Sequence, residues 1–330
     1  NEDGSVAYEE IIDGDVVMYQ FPDRLLCSKE ELVGYMVESL HLTSDDVVII
    51  DRTTGIGQAI IRNAGPAKIG SVIHADHFSE GGTDEHNVLW NNYYEYIFSQ
   101  HKYVDFYIAS TDAQNKLVRE HFEKYMGVTP NVVTIPVGGL SEMKKPTEPR
   151  RKHSLITASR LANEKHIDWL IKAVAQARKM IGDITLDIYG KGAEEAKLKE
   201  LIDTLGCNDC IRMMGQHNLE DVYVGYDAYI AGSTSEGFGL TLMEAIGSGL
   251  PIIGFDVRYG NPTFIDDGEN GYLIPVHDRM EAKERIDRLA GCIVRMFTEA
   301  DMDQFHEHSY KKAEEYLTKE VEKRWAKLLK

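Results

Sequence analysis

Two carboxylates eight residues apart, Glu236 and Glu244, bracket the turn Gly237-Phe238-Gly239. The turn joins an apolar strand-like run, Ala228-Tyr229-Ile230-Ala231, to a helical run from Leu242 to Ser248. Gly237 and Gly239 let a backbone come close to a ligand, and the unpaired N–H groups at a helix start suit a phosphate. A carboxylate beside bound phosphate is repelled unless it faces something else. Sugar hydroxyls are the natural partners of such an acceptor-only group. A diphosphate carrying a sugar at each end is a nucleotide sugar, and these residue types at this spacing fit one.

Three further features could join that chemistry. Ser159-Arg160-Leu161-Ala162-Asn163-Glu164-Lys165 places two cations after an apolar strand, and Ile188-Tyr189-Gly190-Lys191-Gly192 supplies a glycine turn. His74 follows the apolar run Ile69 to Ile73, at the carboxyl edge where open α/β sheets bind ligands. A hydrogen-bonded structural histidine is the alternative reading of that position. His74, Asp76 and His77 have no evident distant fourth ligand, so no metal site is assigned to them. Cys207-Asn208-Asp209-Cys210 precedes a strand instead of opening a helix and has no second pair, so it reads as packing.

The ordered motifs, with Glu236 and Glu244 around Gly237-Phe238-Gly239, resemble the donor site of retaining GT-B glycosyltransferases, especially glycosyltransferase family 4. The resemblance runs from Ser154 to about Pro275. It implies that Arg160 and Lys165 neutralise the diphosphate as UDP leaves, and that Glu236 binds the transferred sugar. It further implies that Glu244 binds the ribose, while Gly190, Gly237, Phe238, Gly239, Leu240 and Thr241 line the nucleotide site. His74 would face the donor sugar from the first half of the protein. No metal and no other cofactor is expected.

Stepping outward, strand and helix patterns alternate from Val47 onward, which argues for an α/β protein with parallel sheets. Val47 to Ile50, Ile69 to Ile73, Phe106 to Ala109 and Val132 to Pro136 read as strands, with helices over Asn87 to Tyr103 and Ala113 to Tyr125. Lys144 to Lys152 is charged, proline-bearing and aperiodic, and reads as a linker. Beyond it, strands near Leu155, Leu186, Ile211, Tyr229, Ile252 and Tyr272 make a full second unit, closed by a helix over Tyr310 to Leu329. Ahead of Val47, Tyr8 to Ile12 and Val16 to Phe21 read as a hairpin turning at Gly14, followed by a helix over Lys29 to Ser39.

A GT-B protein has two Rossmann-like halves, and the first is short here. The expected division is 1–45, the remnant of a β-rich extension; 46–145, a truncated N-terminal half; 146–310, the nucleotide-sugar-binding half; and 311–330, a C-terminal helix crossing back. With that extension, Asp51-Arg52-Thr53-Thr54-Gly55 and His74-Ala75-Asp76-His77 resemble the bacterial O-GlcNAc transferases that prime serine-rich repeat adhesins. Their relatives that glycosylate wall teichoic acids share the likeness. It implies transfer of GlcNAc from UDP-GlcNAc to Ser/Thr hydroxyls of an adhesin, a GT-B-like partner subunit, and a cytoplasmic location with peripheral attachment to the membrane. Two alternatives stay open: α-glycosylation of a teichoic acid, and a GT-B module that binds without catalysing.

Composition narrows the classes. The chain has 330 residues, 43% of them hydrophobic, and a formal net charge of −18. That charge disfavours nucleic acid and makes a polyanionic acceptor less comfortable. Its apolar runs are too short to span a bilayer, and its acidic start, Asn1 to Gly4, lacks the apolar core of a secretion signal. Four cysteines do not make a disulfide scaffold.

Overall fold

The computed structural model describes residues 9–13, 16–51, 54–277 and 279–330. Asn1 to Gly4, Tyr8, the Gly14 turn, Arg52 and Thr53, all named above, lie outside them. The chain divides into two units, one of residues 1–109 and 115–134, the other of 110–114 and 135–330.

The first unit holds two sheets. Strands β1 (Glu9–Asp13), β2 (Val16–Gln20) and β3 (Leu25–Leu26) form an antiparallel sheet in that order. The expected helix follows at Lys29–Ser39, capped by the Ser28 side chain, which accepts from the Glu31 N–H. Strands β4 (Val47–Ile50), β5 (Lys68–Ile73), β6 (Phe106–Ala109) and β7 (Val132–Thr134) form a parallel sheet in sequence order. The helix Asp112–Met126 connects β6 to β7.

The segment read as one helix from Asn87 to Tyr103 is helical only at Glu95–Ser99, with a 3₁₀ turn at His101–Tyr103. Its first part is drawn back onto the preceding loop. The Leu89 carbonyl accepts from the Ser79 N–H, the Asn91 N–H donates to the His77 carbonyl, and Trp90 bridges Phe78. Those tertiary hydrogen bonds replace the helical ladder.

The second unit is one sheet of six strands: β8 (Ser154–Ala158), β9 (Thr185–Tyr189), β10 (Ile211–Gly215), β11 (Ala228–Ile230), β12 (Ile252–Phe255) and β13 (Gly271–Ile274). Their order is β10-β9-β8-β11-β12-β13, and every pair is parallel. Strands buried on both faces require continuous apolar sequence, and β8, β11 and β12 are buried throughout. Strand order reverses between β8 and β11, and a crevice opens at the carboxyl ends of the strands at such a switch point.

Lys144 to Lys152 is irregular, as read, and both of its ends are bonded to the rest of the second unit. The Lys144 N–H donates to the Gly247 carbonyl, and Arg150 donates to the carbonyls of Val224, Tyr226 and Ser248 at 2.7–3.0 Å. Arg151 pairs with the buried Asp187, which also takes Arg212 and the Tyr226 hydroxyl. The stretch is thus irregular but anchored at both ends.

The last helix is also not continuous. Met302–Ala313 and Thr318–Leu328 are separate helices, with Leu317 extended between them. Leu140 causes the break: its N–H donates to the Tyr316 carbonyl and its own carbonyl accepts from the Thr318 N–H. Tyr316 turns into the core against Phe264, with ring centres 4.8 Å apart.

Candidate nucleotide-sugar site

Three loops meet at the carboxyl edge of β8, β9 and β11. The loop after β8 carries Arg160 and Lys165; the loop after β9 carries Gly190 and Gly192; the loop after β11 runs into Glu236. Backbone bonds lock the first two together: the Leu161 N–H donates to the Lys191 carbonyl and the Glu194 N–H to the Leu161 carbonyl. Gly190 has φ +134°, and a Cβ there would overlap the Ser159 carbonyl oxygen. Its lack of a side chain is thus already explained by loop packing. The third loop closes on the first through the Thr234 N–H, which donates to the Glu164 carbonyl.

This packing brings Lys165 to Glu236. The ammonium donates to Glu236 Oε2 at 2.5 Å, with the side chains 14% and 22% exposed. The Glu236 backbone is fixed from the other side, since its N–H donates to the Arg258 carbonyl and its carbonyl accepts from the Gly260 N–H. Arg160 is not part of this pair. It is largely exposed and donates to Glu164 at 3.0 Å, as charges on neighbouring turns do.

Gly239 caps the helix Leu240–Gly247 in the left-handed conformation, φ +89°, which favours glycine. Phe238 is buried against Phe264, so the middle residue of the turn points into the core. The first N–H groups of any helix lack intrahelical acceptors and carry partial positive charge; here they belong to Leu240 and Thr241, since the Leu242 and Met243 N–H groups donate to the Gly239 carbonyl. Thr241 Oγ1 lies 3.1 Å from the buried Tyr229 hydroxyl, which also donates to the Ala158 carbonyl. That hydroxyl ties the end of β8 to the helix start.

Glu244 sits one helical turn further on, partly buried. It lines a cavity of about 280 Å³ with Tyr223, Asn218, Lys144, Glu142 and Ser248. Its Oε2 accepts from the Tyr223 hydroxyl at 3.0 Å. Burial raises the Glu244 carboxyl above its ordinary range, and the bond from Tyr223 opposes that rise. Lys144 is engaged by Glu142 at 2.8 Å and by Glu220 and Asp221 at 3.3 Å, and these partners raise its ammonium pKa. Neither Tyr223 nor Tyr229 was read as a site residue: the first lies in an aperiodic stretch, and the second was read only as part of an apolar strand.

His74 belongs to the first unit, at the end of β5. Its Nε2 pairs with Asp51 Oδ1, and its backbone N–H donates to the Tyr94 hydroxyl at 2.9 Å. Asp51 follows β4 directly and was legible as an edge residue by the same rule that singled out His74. Among the described residues, no group of three or more His, Cys, Asp and Glu side chains is placed to hold a metal ion. Cys207 and Cys210 are buried in the core, where burial pushes the Cys210 thiol up to about 11. No described helix is long and apolar enough to cross a membrane.

A six-stranded parallel sheet of this order, with cationic and acidic side chains at its switch point, is a Rossmann-like half. Residues 140–292 match the glycosyl transferases group 1 family, and the α/β fold with its parallel sheets matches that of GT-B structures. Along its whole length the chain is 51% identical to the UDP-N-acetylglucosamine--peptide N-acetylglucosaminyltransferase GtfA subunit of Streptococcus gordonii, spanning 65% of that protein. Its fold matches the pneumococcal O-GlcNAc transferase GtfA, solved with UDP and GlcNAc, at a TM-score of 0.92 and 46% identity, covering 100% of this chain and 65% of that one. A GtfA/B complex matches at a TM-score of 0.94 and 50% identity, covering 99% and 65%. The chain thus spans just under two thirds of the length of these relatives.

Proposed function

We propose that this chain forms the donor-binding part of a retaining transferase that moves GlcNAc from UDP-GlcNAc to Ser/Thr hydroxyls of a serine-rich repeat adhesin. The observation that carries the reading is the pairing of Lys165 with Glu236 at the switch point, one loop away from Glu244. The identity to a peptide N-acetylglucosaminyltransferase subunit supports the choice of sugar and acceptor class.

In this mechanism Glu244 receives the ribose hydroxyls and Glu236 the hydroxyls of the sugar. The N–H groups from Gly237 to Leu240 hold the diphosphate. Lys165, aided by Arg160, neutralises charge that grows on UDP as the glycosidic bond lengthens. Charge placed ahead of time where an anion develops is commonly the largest catalytic contribution. The acceptor hydroxyl attacks the face from which UDP departs, and its proton passes to the leaving phosphate, so the anomeric configuration is kept. These groups neutralise the diphosphate without a metal ion. Within the first unit, Asp51 orients His74. A second GT-B-like subunit completes the acceptor side, a reading supported by the match to a GtfA/B complex, and the reaction belongs in the cytoplasm with peripheral attachment to the membrane.

The test uses a polypeptide covering the relatives' full length together with its partner subunit. UDP-GlcNAc is supplied with a serine-rich peptide or with teichoic acid, at low and moderate salt. Transfer to the peptide, with an acceptor Michaelis constant that changes little with salt, is expected. A polyphosphate acceptor would bind with a steep salt dependence, because released counterions must be recaptured. Efficient transfer to teichoic acid with none to the peptide would overturn the adhesin reading.

A further inference from the structure

We infer that Tyr223 is a positioning residue for the donor: its hydroxyl holds one oxygen of Glu244, fixing the carboxylate so that the other oxygen serves the ribose. The inference rests on the donor-site reading above and extends it to a residue outside the motifs.

The geometry of the turn carries the argument. Tyr223 is 1% exposed and opens the 3₁₀ turn Tyr223–Gly225. Arg150 clamps that turn, donating to the carbonyls of Val224 and Tyr226, each at 3.0 Å. The same guanidinium donates at 2.7 Å to the carbonyl of Ser248, just past the end of the helix that carries Glu244. One partly buried cation therefore sets the spacing between the hydroxyl and the carboxylate. Tyr226 is anchored in turn by its hydroxyl on Asp187, at 2.6 Å. A tyrosine held this firmly has little freedom to release Glu244 and find another partner.

The bond also has an electrostatic consequence. Around Glu244 stand the Tyr223 hydroxyl and, along the cavity, Lys144, Glu142 and Glu220; Lys144 is occupied by Glu142, Glu220 and Asp221. Tyr223 is thus the donor that favours the charged form of a carboxyl that burial disfavours. Accepting ribose hydroxyls with full strength requires the carboxylate. Removing the hydroxyl raises the carboxyl pKa further, so donor affinity must begin to fall at a higher pH as acid is added.

UDP-GlcNAc is the probe, because its diphosphate has no group that titrates between mildly acid and neutral pH. Calorimetric titrations of the wild type, Tyr223→Phe, Glu244→Gln and the double variant are compared from pH 5 to pH 8. The Phe variant keeps the ring in the core. Its affinity is expected to drop several-fold at neutral pH, and its acid-side midpoint to move up by about half to one pH unit. In the Glu244→Gln background the Phe change should shift no midpoint. An unmoved midpoint, a loss equal at every pH, or a Phe variant that does not fold would each make Tyr223 merely structural and overturn the inference. Failure of the wild type to bind UDP-GlcNAc at any pH would instead sink the donor-site reading, and the inference with it.

Discussion

Lys165 and Glu236, 71 residues apart in sequence, meet at 2.5 Å in a partly buried ion pair. The pair joins the loops that follow β8 and β11, the two strands between which the sheet order reverses. A carboxylate already neutralised by a lysine can accept sugar hydroxyls beside a diphosphate without repelling it. In the proposed mechanism the same lysine answers the charge that shifts to the leaving group.

Replacing Lys165 by Ala is therefore expected to lower kcat by about 100-fold, with a smaller change in donor KM, since charge on UDP is greatest in the transition state. Arg160→Ala should do the same more weakly, because Arg160 is exposed and paired with Glu164. Steady-state kinetics on the full-length protein separate the two parameters. A rise in KM alone for both would make these residues ground-state binders.

Glu244→Ala should weaken UDP binding by about 1.5–3 kcal/mol, the worth of hydrogen bonds to a charged acceptor. Calorimetric titration of a folded variant measures it. Unchanged affinity would remove Glu244 from the site.

Gly190→Ala tests the packing of the loops. A Cβ there would overlap the Ser159 carbonyl oxygen, and φ +134° strains any other residue. A loss of at least about 2 kcal/mol in urea denaturation is expected. Stability equal to the wild type would mean that the two loops are not in this contact in solution.

Asp187 should make the second unit acid-sensitive. Burial raises its carboxyl pKa, but bonds from Arg212, Tyr226 and Arg151 outweigh burial and hold it below the usual carboxylate range. A group depressed in the folded state contributes stability above its unfolded value, near pH 4, and loses it as pH falls through the folded value. Asp187→Ala should cost about 2–3 kcal/mol at pH 7, discounted for the half-exposed arginines, and progressively less in acid. Denaturation at pH 7 and pH 3 compares the two, and an equal cost at both would refute the charge-based account.

The alternation of the second unit and its glycine and carboxylate motifs were legible in the residues alone. Apolar runs of strand length recur between helical segments, and glycine is required at Gly190 and Gly239 by the backbone itself. Local pattern suffices there because the period of apolar residues and the sterics of φ are properties of short segments. Tertiary structure decided the rest. The break at Leu317 depends on Leu140 lying alongside it, and the loss of helix before Glu95 depends on bonds back to His77 and Ser79. It also decided which of two cations in one motif meets Glu236, and that Tyr223 holds Glu244. Lys165 and Glu236 lie 71 residues apart and Tyr223 and Glu244 21 apart, and the parallel sheet, with its order reversed between β8 and β11, brings such segments within hydrogen-bond reach.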